Sequence, residues 1–206
     1  MVYNYLSLQT NVIKIIKVKK TTKTISGFVL EYILGWEIKD NFPNYINSSI
    51  VIFAPHTSYF DALYGKLAIN EYGINHIFLS KKELFYFPMN LLMKWYGSIP
   101  VRGVKGENAI IKVTKILKED KFMHVVLSPE GKLAKTNKWD KGFYYMASRA
   151  NVPIIVASID YKKKEIEIKG IIDSRQDINL VIQQINNMYK NVTAKYPEKF
   201  QLHEYK

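Results

Sequence analysis

The stretch Ile50-Val51-Ile52-Phe53-Ala54-Pro55-His56-Thr57-Ser58-Tyr59-Phe60-Asp61 decides the reading of the fold. Its first five residues form a short unbroken apolar run, the pattern of a strand buried on both faces. Pro55 ends the run, and from Phe60 to Tyr72 the apolar residues return at helical spacing. The same alternation repeats outward. HIFL (76–79), HVVL (124–127) and PIIVAS (153–158) read as further apolar strands, with a short one at 98–101. Helices are expected over 83–96 around Pro88, over 108–118, over 142–150 and over 177–196. Residues 161–168 are expected to pair with the 153–158 strand as a basic edge strand. On the amino-terminal side, NFPNYINSS (41–49) is a loop rich in turn residues. A helical segment over about 10–35 precedes it, with Gly35 as its stop. Strands separated by helices argue for an α/β fold, a single domain over 1–206 with a central, largely parallel sheet flanked by helices.

Composition narrows the function. The 206 residues contain no cysteine, which excludes a disulfide framework, a Cys-ligated zinc site, an iron–sulfur cluster and a Cys nucleophile. An apolar share of 48% excludes wholesale disorder. Thirty Lys plus Arg against 18 Asp plus Glu leave a net charge of +12. That excess points to anionic partners: nucleic acid, a membrane surface, phosphorylated metabolites or an acidic carrier protein. Only three of the basic residues are Arg, and 26 Ile and 15 Asn accompany the Lys, so compositional bias accounts for part of the charge as solvated surface. Scarce Arg also argues against nucleic acid, whose readers rely on the bidentate guanidinium fork. Residues 1–20 lack the apolar core of a secretory signal. The two most apolar stretches, 25–36 and 84–101, are interrupted by Glu31 and by Pro88, Asn90 and Lys94, so neither reads as a membrane span. Both mix aromatics with flanking Lys, which leaves open a helix lying in a membrane surface.

Open α/β sheets carry their sites at the carboxyl ends of strands, so the turns after the apolar runs are the places to search. The turn after 50–54 holds His56 and Asp61. On one continuous helix residues five apart point in different directions, so this pair meets only if His56 lies on the loop and Asp61 in the first helical turn. His56 is then a candidate base whose second nitrogen Asp61 orients. Ser58-x-x-Asp61 also fits a capping box, a purely structural role compatible with the catalytic one. After 124–127 comes Ser128-Pro129-Glu130-Gly131-Lys132, either a grip for a polar substrate or an ordinary solvated turn, followed by Lys135, Lys138 and Lys141. At the end of 98–101 stands Arg102, either a phosphate fork or a solvated side chain.

Taken in order, these segments resemble the glycerolipid acyltransferase family typified by 1-acylglycerol-3-phosphate acyltransferases. The resemblance is carried by APHTSYFDALYG (54–65), KKELFYFPMNLLMKWYGSIPVRG (81–103), SPEGKLAKTNKWDKGFYYMA (128–147) and VPIIVASID (152–160). It implies a membrane-associated enzyme of phospholipid synthesis, peripheral on the inner, cytoplasmic face of an anionic membrane. Such an enzyme moves a fatty acyl group from an acyl thioester to a hydroxyl of a lysophospholipid or glycerol phosphate. The donor is acyl-CoA or acyl carrier protein as co-substrate, with no resident cofactor or metal and no nucleic-acid partner. Under that resemblance His56 is the general base and Asp61 its orienter, Arg102 binds the acceptor phosphate, and Glu130 and Gly131 shape the acceptor site. Two positions depart from the family pattern. Lys132-Leu133 follow Pro-Glu-Gly where the family often has Thr-Arg, and Arg102 directly follows Val101 where the family often has Val-Asp-Arg. Lys132, Lys135 or Lys141 are candidates to compensate as point charges. The departures leave open the same chemistry on a non-phosphate lysolipid, and beside it a non-catalytic basic module that binds anionic membrane or nucleic acid.

Overall fold

Strand β2 (Ser49–Ala54) is buried at every position. Alternate side chains of a strand point to opposite faces, so its apolar run is shared between two cores. Ile50, Ile52 and Ala54 enter one, Val51 and Phe53 the other. The structure, a computed structural model, describes residues 25–100 and 109–204.

Around β2 lie β1 (Glu37–Ile38), β3 (His76–Ser80), β4 (Ser98–Pro100), β5 (His124–Leu127), β6 (Ile154–Asp160) and β7 (Glu165–Ile172). They form one sheet in the order β1-β7-β6-β2-β5-β3-β4. Strands β2 to β6 run parallel, β7 is antiparallel to β6, and β1 is parallel to β7. This is the expected α/β class with a largely parallel sheet. Helices α1 (Tyr59–Tyr72) and α2 (Met89–Tyr96) pack on one side of it, through Ala68, Ile69 and Tyr96. Helices α3 (Ala109–Glu119), α4 (Gly142–Ala150) and α5 (Ile178–Tyr189) cover the other, through Val113, Phe143 and Ile185 among others.

Several boundaries differ from expectation, each for a local reason. Residues 161–164 form a turn instead of starting a strand, because Asp160 Oδ1 accepts the N–H groups of Lys162 (3.0 Å) and Lys163 (3.1 Å) and reverses the chain. The strand that follows is not an edge, since β1 pairs along its outer side. The expected helix over 83–96 divides at Pro88: a 3-10 turn, Lys82–Leu84, precedes a cis Phe87–Pro88 peptide, and α2 begins only at Met89. The last helix ends at Tyr189, not 196. The Val192 N–H turns back to the Tyr189 carbonyl, and Thr193 accepts the Tyr161 N–H (2.9 Å), so the chain crosses back toward β6. Of the amino-terminal helical segment, residues 25–28 and a π-helical turn, Val29–Ile33, are described, and Gly35 follows with φ +67°. Residues 10–24 and the end of the 98–101 strand lie outside the described residues.

Tyr189 ties the far layer to the central strands. Fully buried on α5, its hydroxyl donates to the Ala157 carbonyl at 2.8 Å and lies 3.2 Å from that of Ile52. Tyr189→Phe is expected to destabilise the fold by about 1–2 kcal/mol, read as a lower urea midpoint at unchanged slope.

Candidate active site

Of the four histidines, two belong to the core. His76 and His124 open β3 and β5, at the strands' amino ends. His76 bonds to the Ile74 carbonyl and to Lys66 Nζ (2.9 Å), and His124 to Ser49 Oγ (2.8 Å). Burial pushes their pKa values down, to about 3 and about 4. His203 accepts the Trp139 N–H at 3.0 Å. His56 differs from all three: it lies on the loop after the carboxyl end of β2, with its side chain 27% exposed.

The loop between His56 and α1 is built around one carboxylate. Asp61 is 4% exposed in the first turn of α1. Its Oδ2 accepts the N–H groups of Thr57 (2.6 Å) and Ser58 (2.7 Å) and stands 3.6 Å from His56 Nδ1. Ser58 Oγ completes the capping box by accepting the Phe60 N–H (3.2 Å). The cap and the imidazole therefore share one side chain. Nδ1 directed at a carboxylate leaves Nε2 as the nitrogen for a substrate. Asp61 Oδ1 accepts a short hydrogen bond from the Tyr161 hydroxyl.

Glu130 arrives from the turn after β5, the strand paired with β2. It is 4% exposed, and its Oε1 accepts the His56 main-chain N–H at 2.6 Å. Burial, opposed by that N–H and reinforced by Asp61, pushes its pKa up to about 8. Gly131 adopts φ +65° as the turn closes, its N–H reaching the Ser128 carbonyl.

The structure thus brings His56, Asp61 and Glu130 together, with Gly131 beside them. Lys132 is exposed on the same turn. Lys141 immediately precedes α4 and lines, with Lys138, Trp139 and His203, a cavity of about 290 Å³ on the side of the carboxyl-terminal segment. There burial, with the Lys141 charge, lowers the His203 pKa. Arg102 lies outside the described residues. Sequence reasoning missed Tyr161 and the carboxyl-terminal strap, where Tyr196 N–H donates to Thr57 Oγ1 (3.3 Å) and Lys195 Nζ sits 3.5 Å over the Phe60 ring. Tyr161 was findable as the residue after an apolar strand ending at the site's edge of the sheet. The strap was hidden by reading the last helix through to 196.

A parallel α/β sheet with a His–Asp pair at the carboxyl end of its central strand defines a class of enzyme-like sites. A family model described as Acyltransferase matches residues 35–160, more than half of the chain, and the chain belongs to the acyltransferase family. A solved structure, the 1-acyl-sn-glycerophosphate (LPA) acyltransferase PlsC from Thermotoga maritima, shares the fold. It matches with a TM-score of 0.54 at 16% identity, over 85% of this chain and 81% of that one. The chain matches no curated protein.

Glu130 yields a test with a defined sign. Its folded pKa, about 8, exceeds the ordinary 4.5, so between those values the folded state holds more protons than the unfolded. Its contribution therefore falls as pH rises through that window. Glu130→Gln keeps an acceptor for the His56 N–H but does not titrate. The stability of the variant relative to wild type is expected to increase from pH 5 to pH 8, measured by urea denaturation at both.

Proposed function

We propose that this acyltransferase moves a fatty acyl group from an acyl thioester to a hydroxyl of a lysophospholipid or glycerol phosphate, with His56 as general base oriented by Asp61. The donor is acyl-CoA or acyl carrier protein. The observation that carries the reading is the His56–Asp61 contact at the carboxyl end of β2 in a chain of this family. An alcohol is barely ionised at neutral pH, so its proton must leave as its oxygen attacks. His56 Nε2 takes that proton while the oxygen bonds to the thioester carbonyl. The imidazolium faces Asp61 Oδ2, which stabilises its charge. Collapse breaks the carbon–sulfur bond, and the proton passes from Nε2 to the departing thiolate. The thioester is already activated, so transfer is direct and needs no enzyme nucleophile. Glu130 holds the main chain of the base in place, and with Gly131 it borders the acceptor. Arg102, with Lys132 and Lys141 as further cations, serves the acceptor phosphate in this reading. The direct Val101-Arg102 sequence favours, as a second reading, the same chemistry on a non-phosphate lysolipid.

The proposal includes peripheral attachment to an anionic membrane, on its inner, cytoplasmic face. Among the described residues no helix is long and apolar enough to cross a membrane. The amino-terminal turn, α1 and α2 share one side of the sheet, and among the described residues they and their connections carry thirteen of the nineteen exposed large hydrophobic residues, Tyr32, Tyr59, Phe87, Leu91 and Trp95 among them. Lys81 and Lys82 on the connection before α2, and Lys94 on α2 itself, are exposed among them, the mixture suited to an anionic lipid surface.

His56→Ala is expected to lower acyl transfer at least ~100-fold while circular dichroism and Tm stay unchanged. A wild-type rate in that variant overturns the mechanism. Labelled acyl-CoA and acyl carrier protein, offered with a panel of lysolipids and glycerol phosphate, identify donor and acceptor. The pair Leu91→Ser and Trp95→Ser is expected to abolish flotation with phosphatidylglycerol vesicles while sparing transfer to a soluble short-chain acceptor.

A further inference from the structure

Asp61 has two carboxylate oxygens, and the loop uses only one. Oδ2 collects the Thr57 and Ser58 N–H groups and faces His56. Oδ1 is turned the other way on a side chain that is 3% exposed, where an acceptor without a donor costs free energy and a carboxylate held on one side swivels. The donor is supplied from outside the loop, by the Tyr161 hydroxyl. Three other parts of the chain fix that phenol. Trp36 meets its ring edge-on at 4.9 Å, Tyr64 of α1 packs at 6.0 Å, and the Thr193 carbonyl accepts its main-chain N–H at 2.9 Å.

We infer that Tyr161 is a positioning residue for acyl transfer: its hydroxyl locks the Asp61 carboxylate so that Oδ2 stays directed at His56. The inference rests on the proposed role of His56. It adds a residue that touches neither substrate nor imidazole and acts through Asp61. Burial and the bond to Asp61 push the phenol pKa well above its ordinary value, so it remains a donor throughout the working pH range. The titratable groups around the assembly are His56, Asp61 and Glu130 on the loop side, Tyr64 on α1, and Lys195 and Tyr196 on the strap. Tyr161→Phe changes only the donor, because the ring contacts remain.

The test measures Tyr161→Phe in the full chain by kcat, KM for the acyl donor, the pH profile of kcat/KM, and direct NMR titration of the His56 ring. The expected result is a kcat about 10- to 100-fold lower at nearly unchanged KM. The His56 midpoint is expected to move up, since Asp61 loses a donor dipole that opposes the imidazolium. A folded variant with wild-type kcat and midpoint overturns the inference, as does a lowered Tm with an unchanged pH profile. His56→Ala separates the two ideas. If that variant keeps the wild-type rate, the base assignment fails, whatever Tyr161→Phe does. If His56→Ala is inactive while Tyr161→Phe matches wild type, only the role of Tyr161 fails. Should Tyr161→Phe not fold, 3-fluorotyrosine at 161 gives a stronger donor in the same shape. It is expected to lower the His56 midpoint, and no movement overturns the inference.

Discussion

One buried carboxylate organises the site. Asp61 caps α1, closes the loop that carries His56, faces the imidazole and receives the hydroxyl of a tyrosine a hundred residues away. Each role demands the same thing, an acceptor held in the first helical turn with no freedom to rotate. Capping supplies this at little cost, because the amino end of any helix has N–H groups in need of an acceptor. The structural and catalytic readings of Asp61 are thus one arrangement seen from two sides.

The sheet brings the remaining parts to that point. Because β2 and β5 are parallel neighbours, their carboxyl ends emerge side by side and the Glu130 turn meets the His56 main chain. Because β6 is the neighbour on the other side, the chain leaving it places Tyr161 beside Asp61. Three consecutive strands of the sheet each deliver one site segment, and no segment completes the geometry alone. The apolar content that hides β2 between two cores is therefore a condition of the chemistry as well as of stability.

Much of this was legible in the sequence, and the rest was hidden for identifiable reasons. The buried parallel strands announced themselves as unbroken apolar runs, since a strand covered on both faces needs no polar alternation. The His-x4-Asp loop was readable because capping chemistry fixes where its Asp stands. Boundaries set by a single side chain were not readable. Asp160 turns the chain at 161–164, where residues 161–168 are expected to pair with the preceding strand as a basic edge. The segment after Tyr189 keeps an apolar rhythm, with Val192 and Ala194 buried, but those residues are buried on an irregular strap and not as a helix face. Periodicity records that a residue is covered, and says less about what covers it.

The basic balance of the chain gains a more local meaning from Glu130. A second ionised carboxylate beside Asp61 would set negative charge at a mouth meant, in the proposed reaction, for phosphate-bearing substrates. Burial holds the Glu130 pKa near 8, so at neutral pH the group is mostly protonated and adds little of that repulsion. It still accepts the His56 N–H, a bond that does not require the charge. Between Arg102 and Lys141 the sequence carries ten basic and five acidic residues, Glu130 among the five. Neutralising one of those carboxyl groups at the site itself shifts the local balance further toward positive than the formal count shows. In the proposed reaction, charge spread over the whole surface draws anionic substrates to the protein, and a carboxyl group kept neutral by burial lets them approach His56.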